Sequence, residues 1–215
     1  AAALPPAATF PVAPNPEIPQ ALSGKTIAIA QDAAFCFAYP ANLECLQDLG
    51  AQLRFFSPLD DTALPPCDAV WLPGGYPELH VERLASNISM IQSLRQHIDA
   101  NKPILAECGG MMALAESLID TNEQSHPLIG ILPGTVRMHK KLAALGMQSL
   151  PAETGNLGGH TFHYSTFECP LAPVAHTVDA HQRQSESVYR VKRLTATYFH
   201  AYFPSAPNTV AALLS

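Results

Sequence analysis

The chain has 215 residues, 47% of them hydrophobic and 14% charged, with a net charge of −6. That is enough for one α/β domain with a sizeable core. It excludes two classes: no Lys/Arg cluster forms a nucleic-acid footprint, and no apolar run reaches the roughly 20 residues of a membrane-spanning helix.

Residues 1–23 are mostly Ala and Pro, with Pro5, Pro6, Pro11, Pro14, Pro16 and Pro19. Such a stretch packs neither as a helix nor as a central strand. It is expected to be a disordered linker, with one folded domain over 24–215. It lacks the basic start and unbroken apolar run of a signal peptide. Ser23-Gly24-Lys25-Thr26 looks like the end of a phosphate loop, but Pro19 stands where the first Gly belongs and a strand follows instead of a helix.

Thr26–Ala30 reads as a strand. A helix over Asn42–Leu49 places Leu43, Leu46 and Leu49 on one face before Gly50 stops it. Gln52–Phe56 and Ala69–Leu72 are further strands, the latter ending in Pro73-Gly74-Gly75. Asn87 caps a helix that turns Ile91, Leu94 and Ile98 inward. Pro103–Ala106 is a fourth strand, running into Glu107-Cys108-Gly109-Gly110 and a helix. Strands alternating with helices predict a parallel sheet covered on both faces, with ligands at the carboxyl ends of the strands. Beyond about residue 127, short strands over Gly130–Met138, Thr161–Phe167, Val174–Val178, Val188–Val191 and Ala196–Phe199 predict a more antiparallel half.

Five cysteines at wide spacings, with no C-x-x-C, favour neither a disulfide framework nor a zinc knuckle; they fit a reducing cytoplasm. Cys36, Cys45, Cys67 and Cys169 are expected to be buried structural thiols. Cys108 differs. It stands on a sharp strand-to-helix turn, where a helix N-terminus favours thiolate and two glycines let a substrate approach. It is the candidate nucleophile. Gly74-Gly75, at the end of a strand that would lie beside it, offers free N–H groups for an oxyanion hole with Gly109.

A cysteine nucleophile needs a base close in space. His200, at the end of Ala196-Thr197-Tyr198-Phe199, is one candidate; His160 and His163 are rivals. The H-x-x-H spacing of that pair hints at a metal, but residues i and i+3 on a strand face opposite ways, so no metal is expected. His97, His126, His139, His176 and His181 are expected on the surface or in loops.

Taken together and in this order, Ile27–Phe37, Gly74-Gly75-Tyr76-Pro77-Glu78-Leu79-His80, Ala106–Met112, Gly159–Ser165 and Ala196–His200 resemble one family. It is the glutamine amidotransferase domain found in cobyrinic acid a,c-diamide synthases of cobalamin biosynthesis. The likeness covers roughly residues 25–205. Enzymes acting on hydrogenobyrinate and sirohydrochlorin are near relatives.

The resemblance implies an α/β, flavodoxin-like class I glutaminase fold. It implies Cys108 as nucleophile, His200 as base, and Gly75 and Gly109 as oxyanion donors. Tyr76, Glu78, His160 and His163 are expected as contacts to substrate or partner domain. Other class I glutaminases carry a Glu two residues after the histidine; Ala201 and Tyr202 follow His200 here, as in this branch of the family. The implied partners are L-glutamine, an ATP-dependent synthase domain and that domain's corrinoid substrate. No cofactor is expected in this chain, and ATP and Mg²⁺ are expected only in the synthase domain. A cysteine hydrolase acting on another amide would share the nucleophile turn and the base. A docking module would share the fold alone.

Overall fold

The computed structural model describes residues 19–215. Residues 1–18, the bulk of the expected linker, lie outside the described residues. The end of that stretch is packed: Leu22 has no exposed surface, and its N–H donates to Leu49 O at 2.8 Å.

The first half alternates strand and helix: β1 (Thr26–Ala30), α1 (Pro40–Asp48), β2 (Gln52–Phe56), β3 (Ala69–Leu72), α2 (Val81–Ser86), α3 (Ile88–Asp99), β4 (Ile104–Glu107) and α4 (Gly109–Leu114). The second half is mostly strands: β5 (Ala115–Ile119), β6 (Ser125–Pro127), β7 (Leu132–Met138), β8 (Ala144–Leu150), β9 (Leu157–His163), β10 (Ser165–Glu168), β11 (Ala175–Asp179), β12 (Gln184–Val191), β13 (Leu194–Thr197) and β14 (His200–Ala201). Helix α5 (Pro207–Leu214) ends the chain.

The main sheet has ten strands in the order β14-β9-β8-β11-β12-β13-β4-β3-β1-β2. From β2 to β13 every neighbour is parallel. Residue parity decides which face each side chain joins. Ala28, Ala30, Val70, Leu72, Ile104 and Ala106 pack with α3 and α4. Ile27, Ile29, Ala69, Trp71 and Leu105 pack with α1 and α5. Both faces are covered, which is why these strands are continuous apolar runs and not alternating ones.

Helix α1 starts two residues before the expected Asn42, because Pro40 suits the first helical turn. Helix α3 is capped as expected, Asn87 Oδ1 accepting the Met90 N–H at 3.3 Å. His97, expected on the surface, is instead buried on α3, with its Nε2 3.1 Å from Pro103 O.

From β13 the main sheet continues antiparallel through β12, β11, β8 and β9. The strand expected over Thr161–Phe167 is two strands. Tyr164 O accepts the His139 N–H, and from Ser165 the chain pairs with β7 in a second sheet of order β10-β7-β5-β6. The strand expected over Ala196–Phe199 stops at Thr197, whose Oγ1 accepts the Phe199 N–H at 3.2 Å. That turn carries His200 onto the edge of β9, opposite His160. So β14 lies at the far end of the strand order from β13 although only two residues separate them. The antiparallel half therefore curls back until Ala201 N–H reaches Glu107 on β4. Among the described residues, no helix is long and apolar enough to cross a membrane.

Candidate active site

Strand β4 carries Glu107 to its carboxyl end, and the next residue is Cys108. Its backbone sits at φ 46°, ψ −107°, a conformation rarely taken by residues other than glycine. The turn is held on both sides. Cys108 N–H donates to Thr197 O at 2.8 Å, and Cys108 O accepts the Met112 N–H of α4 at 2.9 Å. The strain places Sγ above the sheet edge, facing a cavity of about 310 Å³ lined by Gly75, Tyr76, Glu78, Phe162 and His163. A backbone in such a region marks a functional position when its surroundings force it.

Strand β3 lies directly beside β4, Leu72 opposite Ala106. It delivers Gly74-Gly75 next to the cysteine turn. A Cβ on Gly109 would come within 2.7 Å of Gly75 N, so the two backbones touch only because Gly109 has no side chain. Among the described residues no acceptor takes the Gly75 N–H. Gly109 N–H acts on the thiol itself, favouring its ionised form.

The expectation that the helix end would favour thiolate is corrected. Burial dominates and, with the nearby carboxylates Glu78, Glu107 and Glu186, pushes the Cys108 thiol up to about 12. Helix α4 is only six residues long, and one N–H does not offset the loss of water.

His200 is buried and brought to the same end of the sheet. Its ring stacks on His160, centroids 4.9 Å apart and planes 9° from parallel. Phe37 lies 6.1 Å away, and on another side is Gly74, where any Cβ would run into His200 Cε1. Burial first, then the neighbouring His160 and His163, lowers the His200 imidazole to about 4, so it is neutral at pH 7. Among the described residues no side chain hydrogen-bonds this ring. What holds it is the backbone beside it. Ala201 N–H donates to Glu107 Oε1 at 2.9 Å, and Ala201 O accepts from Asn42 Nδ2 at 2.8 Å. Ring packing and a clamped peptide thus hold the imidazole, and Tyr202 rather than a carboxylate stands two residues on.

His160 and His163 face opposite sides of β9. His160 turns to His200 and to Tyr39, whose OH is 3.5 Å from its Nε2. His163 lines the cavity but is fully engaged: Nδ1 is 2.7 Å from Ser165 O, Nε2 is 3.0 Å from Glu186 Oε1, and Tyr198 stacks on its face at 3.8 Å. Both its nitrogens are taken up by partners other than the thiol. Glu186 titrates below the usual glutamate range because His163, Thr161 and Gln148 bond it despite burial.

Tyr76 and Glu78 both line the cavity, Tyr76 at its exposed rim. Of the cysteines expected to be structural, Cys45 is buried, whereas Cys36 is exposed and Cys67 and Cys169 are half-buried; all five are unpaired. Cys36 follows the bend at Asp32–Phe35, where no strand or helix covers it.

Sequence reasoning passed over Glu107 and Asn42. Glu107 is buried; its Oε2 accepts from Trp71 Nε1 at 2.9 Å, and burial pushes it up to about 7. Its signal was a lone acid ending the otherwise apolar strand Ile104-Leu105-Ala106. Asn42 has no exposed surface despite sitting in a helix read only for its leucines.

Residues 26–208 match the family described as the CobB/CobQ-like glutamine amidotransferase domain. A cobyrinate a,c-diamide synthase of Herminiimonas arsenicoxydans is 56% identical over 91% of this chain and 45% of its own length. A hydrogenobyrinate a,c-diamide synthase of Pseudomonas aeruginosa is 48% identical over 99% of this chain and 49% of its own. The chain thus spans about half the length of these curated relatives. A crystal structure of a glutamine amidotransferase, only 16% identical, shares the fold with a TM-score of 0.62 over 87% of this chain and 96% of that one. On the strength of the match over 26–208 and of these relatives, the chain belongs to the CobB/CobQ-like glutamine amidotransferase domain family.

Proposed function

We propose that this domain hydrolyses L-glutamine at Cys108 and supplies the ammonia for amidation of the a and c carboxylates of cobyrinate. The observation that carries the reading is Cys108 itself: a cysteine held at positive φ on a strand-to-helix turn, facing a cavity where the Gly75 and Gly109 backbones touch, with the buried His200 packed against the neighbouring Gly74. His200 takes the thiol proton and sulfur adds to the carboxamide carbon. Gly75 and Gly109 N–H groups hold the new negative oxygen. His200 returns the proton to nitrogen as the carbon–nitrogen bond breaks, ammonia leaves, and a γ-glutamyl thioester remains. Water, deprotonated by the same imidazole, releases glutamate.

Activation of the acceptor carboxylates by ATP and Mg²⁺, and the tetrapyrrole itself, belong in this reading to a synthase domain outside this chain. Exposed apolar residues around the cavity mouth support such a partner. Phe162 and Tyr164 are half-exposed, and Leu145, across from Phe162 on β8, is 68% exposed. A high thiol and a low imidazole make proton transfer uphill in the empty site, which suits a glutaminase that waits for its partner. Unpaired cysteines fit work in the cytoplasm. Hydrogenobyrinate is the second reading, favoured by the relative that is 48% identical.

The test is acid quenching during turnover on glutamine with the synthase domain and its substrates present, then mass mapping of peptides. The account expects a γ-glutamyl adduct on the Cys108 peptide. Glutamate accumulating while that peptide stays unmodified would contradict it.

A further inference from the structure

Among the described residues, one buried side-chain nitrogen or oxygen has no hydrogen-bond partner: Glu78 Oε2. Glu78 sits in the single helical turn Pro77–Leu79 that follows Gly75-Tyr76. It shares the 310 Å³ cavity with Cys108 and is the only carboxylate on that wall. Two of the other polar side chains there are committed, and Tyr76 and Tyr164 are half-exposed. His163 is bonded at both nitrogens, and the Ser165 hydroxyl is 2.8 Å from Tyr198 OH. The remaining walls are aromatic or thioether: Phe37, Tyr76, Met112, Met138 and Phe162.

A buried carboxylate oxygen left unpaired is costly, and the fold offers it no donor. Burial raises the Glu78 carboxyl above its usual range, and a compact cation that enters the cavity while leaving Cys108 open would both pair this oxygen and favour its ionised form. A Lys or Arg side chain from a protein would satisfy the charge but fill the space before the thiol. The α-ammonium of an amino acid meets both conditions, because its side-chain carboxamide extends away from the ammonium toward sulfur.

We infer that Glu78 binds the α-ammonium of the substrate, so the cavity selects a free amino acid amide over the same amide without an amino group. The inference rests on glutamine being the substrate. It has a chemical consequence. Glu78 is first among the charges that oppose ionisation of Cys108. An ammonium seated on it neutralises that charge at the moment the carboxamide arrives, so binding itself eases thiolate formation.

The experiment uses the whole chain and two reagents that alkylate cysteine, with mass mapping at Cys108. One is 6-diazo-5-oxo-L-norleucine, shaped like glutamine with its amino group; the other is its analogue lacking that group. Iodoacetamide is the reference for thiol reactivity. The wild type should label with the amino reagent at least tenfold faster than with the amine-free one. In Glu78→Gln the amino-reagent rate, divided by the iodoacetamide rate, should fall at least tenfold, and the preference for the amine should vanish. Glu78→Asp should recover part of it. An undiminished preference in both variants would overturn the role of Glu78 while leaving glutamine as substrate. A wild type that reacts with iodoacetamide but distinguishes neither glutamine-shaped reagent from the other would also overturn it. Failure of both glutamine-shaped reagents to reach Cys108 would overturn the glutamine reading beneath it.

Discussion

At the scale of single residues the site is defined by what is missing as much as by what is present. Gly74 has no side chain, and His200 occupies the space one would need. Gly74→Ala should therefore displace the imidazole and lower glutamine turnover at least tenfold, with the far-ultraviolet circular dichroism unchanged. Turnover within twofold of wild type would contradict the packing role given to that glycine. Cys108 offers a second check. Because burial lifts its thiol to about 12, alkylation by iodoacetamide in the empty protein should climb about tenfold per pH unit from pH 7 to pH 10. A plateau reached by pH 8 would mean that the thiol ionises far more readily than its burial implies.

These residues differed in how legible they were. Cys108 announced itself, since a cysteine followed by two glycines after an apolar strand has few structural uses. The orienter of His200 did not, because it is no side chain hydrogen-bonded to the ring. It is a stack on His160 and a peptide gripped by Glu107 and Asn42, which come from parts of the chain 94 and 159 residues away. No local pattern encodes such distances.

At the scale of elements, Glu107 ties β4, β14 and β3 together through Ala201 N–H and Trp71 Nε1. Its proton is linked to stability with a definite sign. The folded carboxyl titrates near 7, the unfolded one near 4.3. Between those values the folded state holds the extra proton, so this group's contribution falls as pH rises. His200 works the other way. It titrates near 4 when folded and near 6.5 when unfolded, so its contribution is lost as pH drops through that window. The two oppose each other over almost the same range. Urea midpoints between pH 4 and pH 7 should therefore rise more steeply with pH in Glu107→Gln than in wild type. In His200→Asn the slope should shift the opposite way. Identical slopes in all three proteins would contradict the linkage.

Strands β1, β2 and β3 were read to the residue, because they are short and bounded by Gly, Pro or polar turns. Strands β5, β6 and β8 escaped. In Ala144–Leu150, the sequence ALGMQSL carries a glycine and two exposed apolar residues, Leu145 and Met147, on the face where polar ones are expected. The break at Tyr164 escaped for another reason: β9 and β10 form one uninterrupted strand pattern, and the partner strand β7 decides where it switches sheets.

At the scale of the whole molecule, five parallel strands present Cys108 and Gly75 at one end of the sheet, and a curled antiparallel half brings His200 back against Gly74. Neither half makes the site alone. The parallel half was visible in the alternation of strands and helices. The curl was not, since it depends on β14 crossing to β9 after a two-residue turn. The same end bears exposed apolar residues around the cavity mouth. The most direct measurement compares Cys108→Ala with wild type in the protein joined to its synthase domain, with glutamine or free ammonia as nitrogen source. The account predicts that glutamine-dependent amidation is lost while ammonia-dependent amidation continues at the wild-type rate. Retention of glutamine-dependent amidation in Cys108→Ala would contradict it.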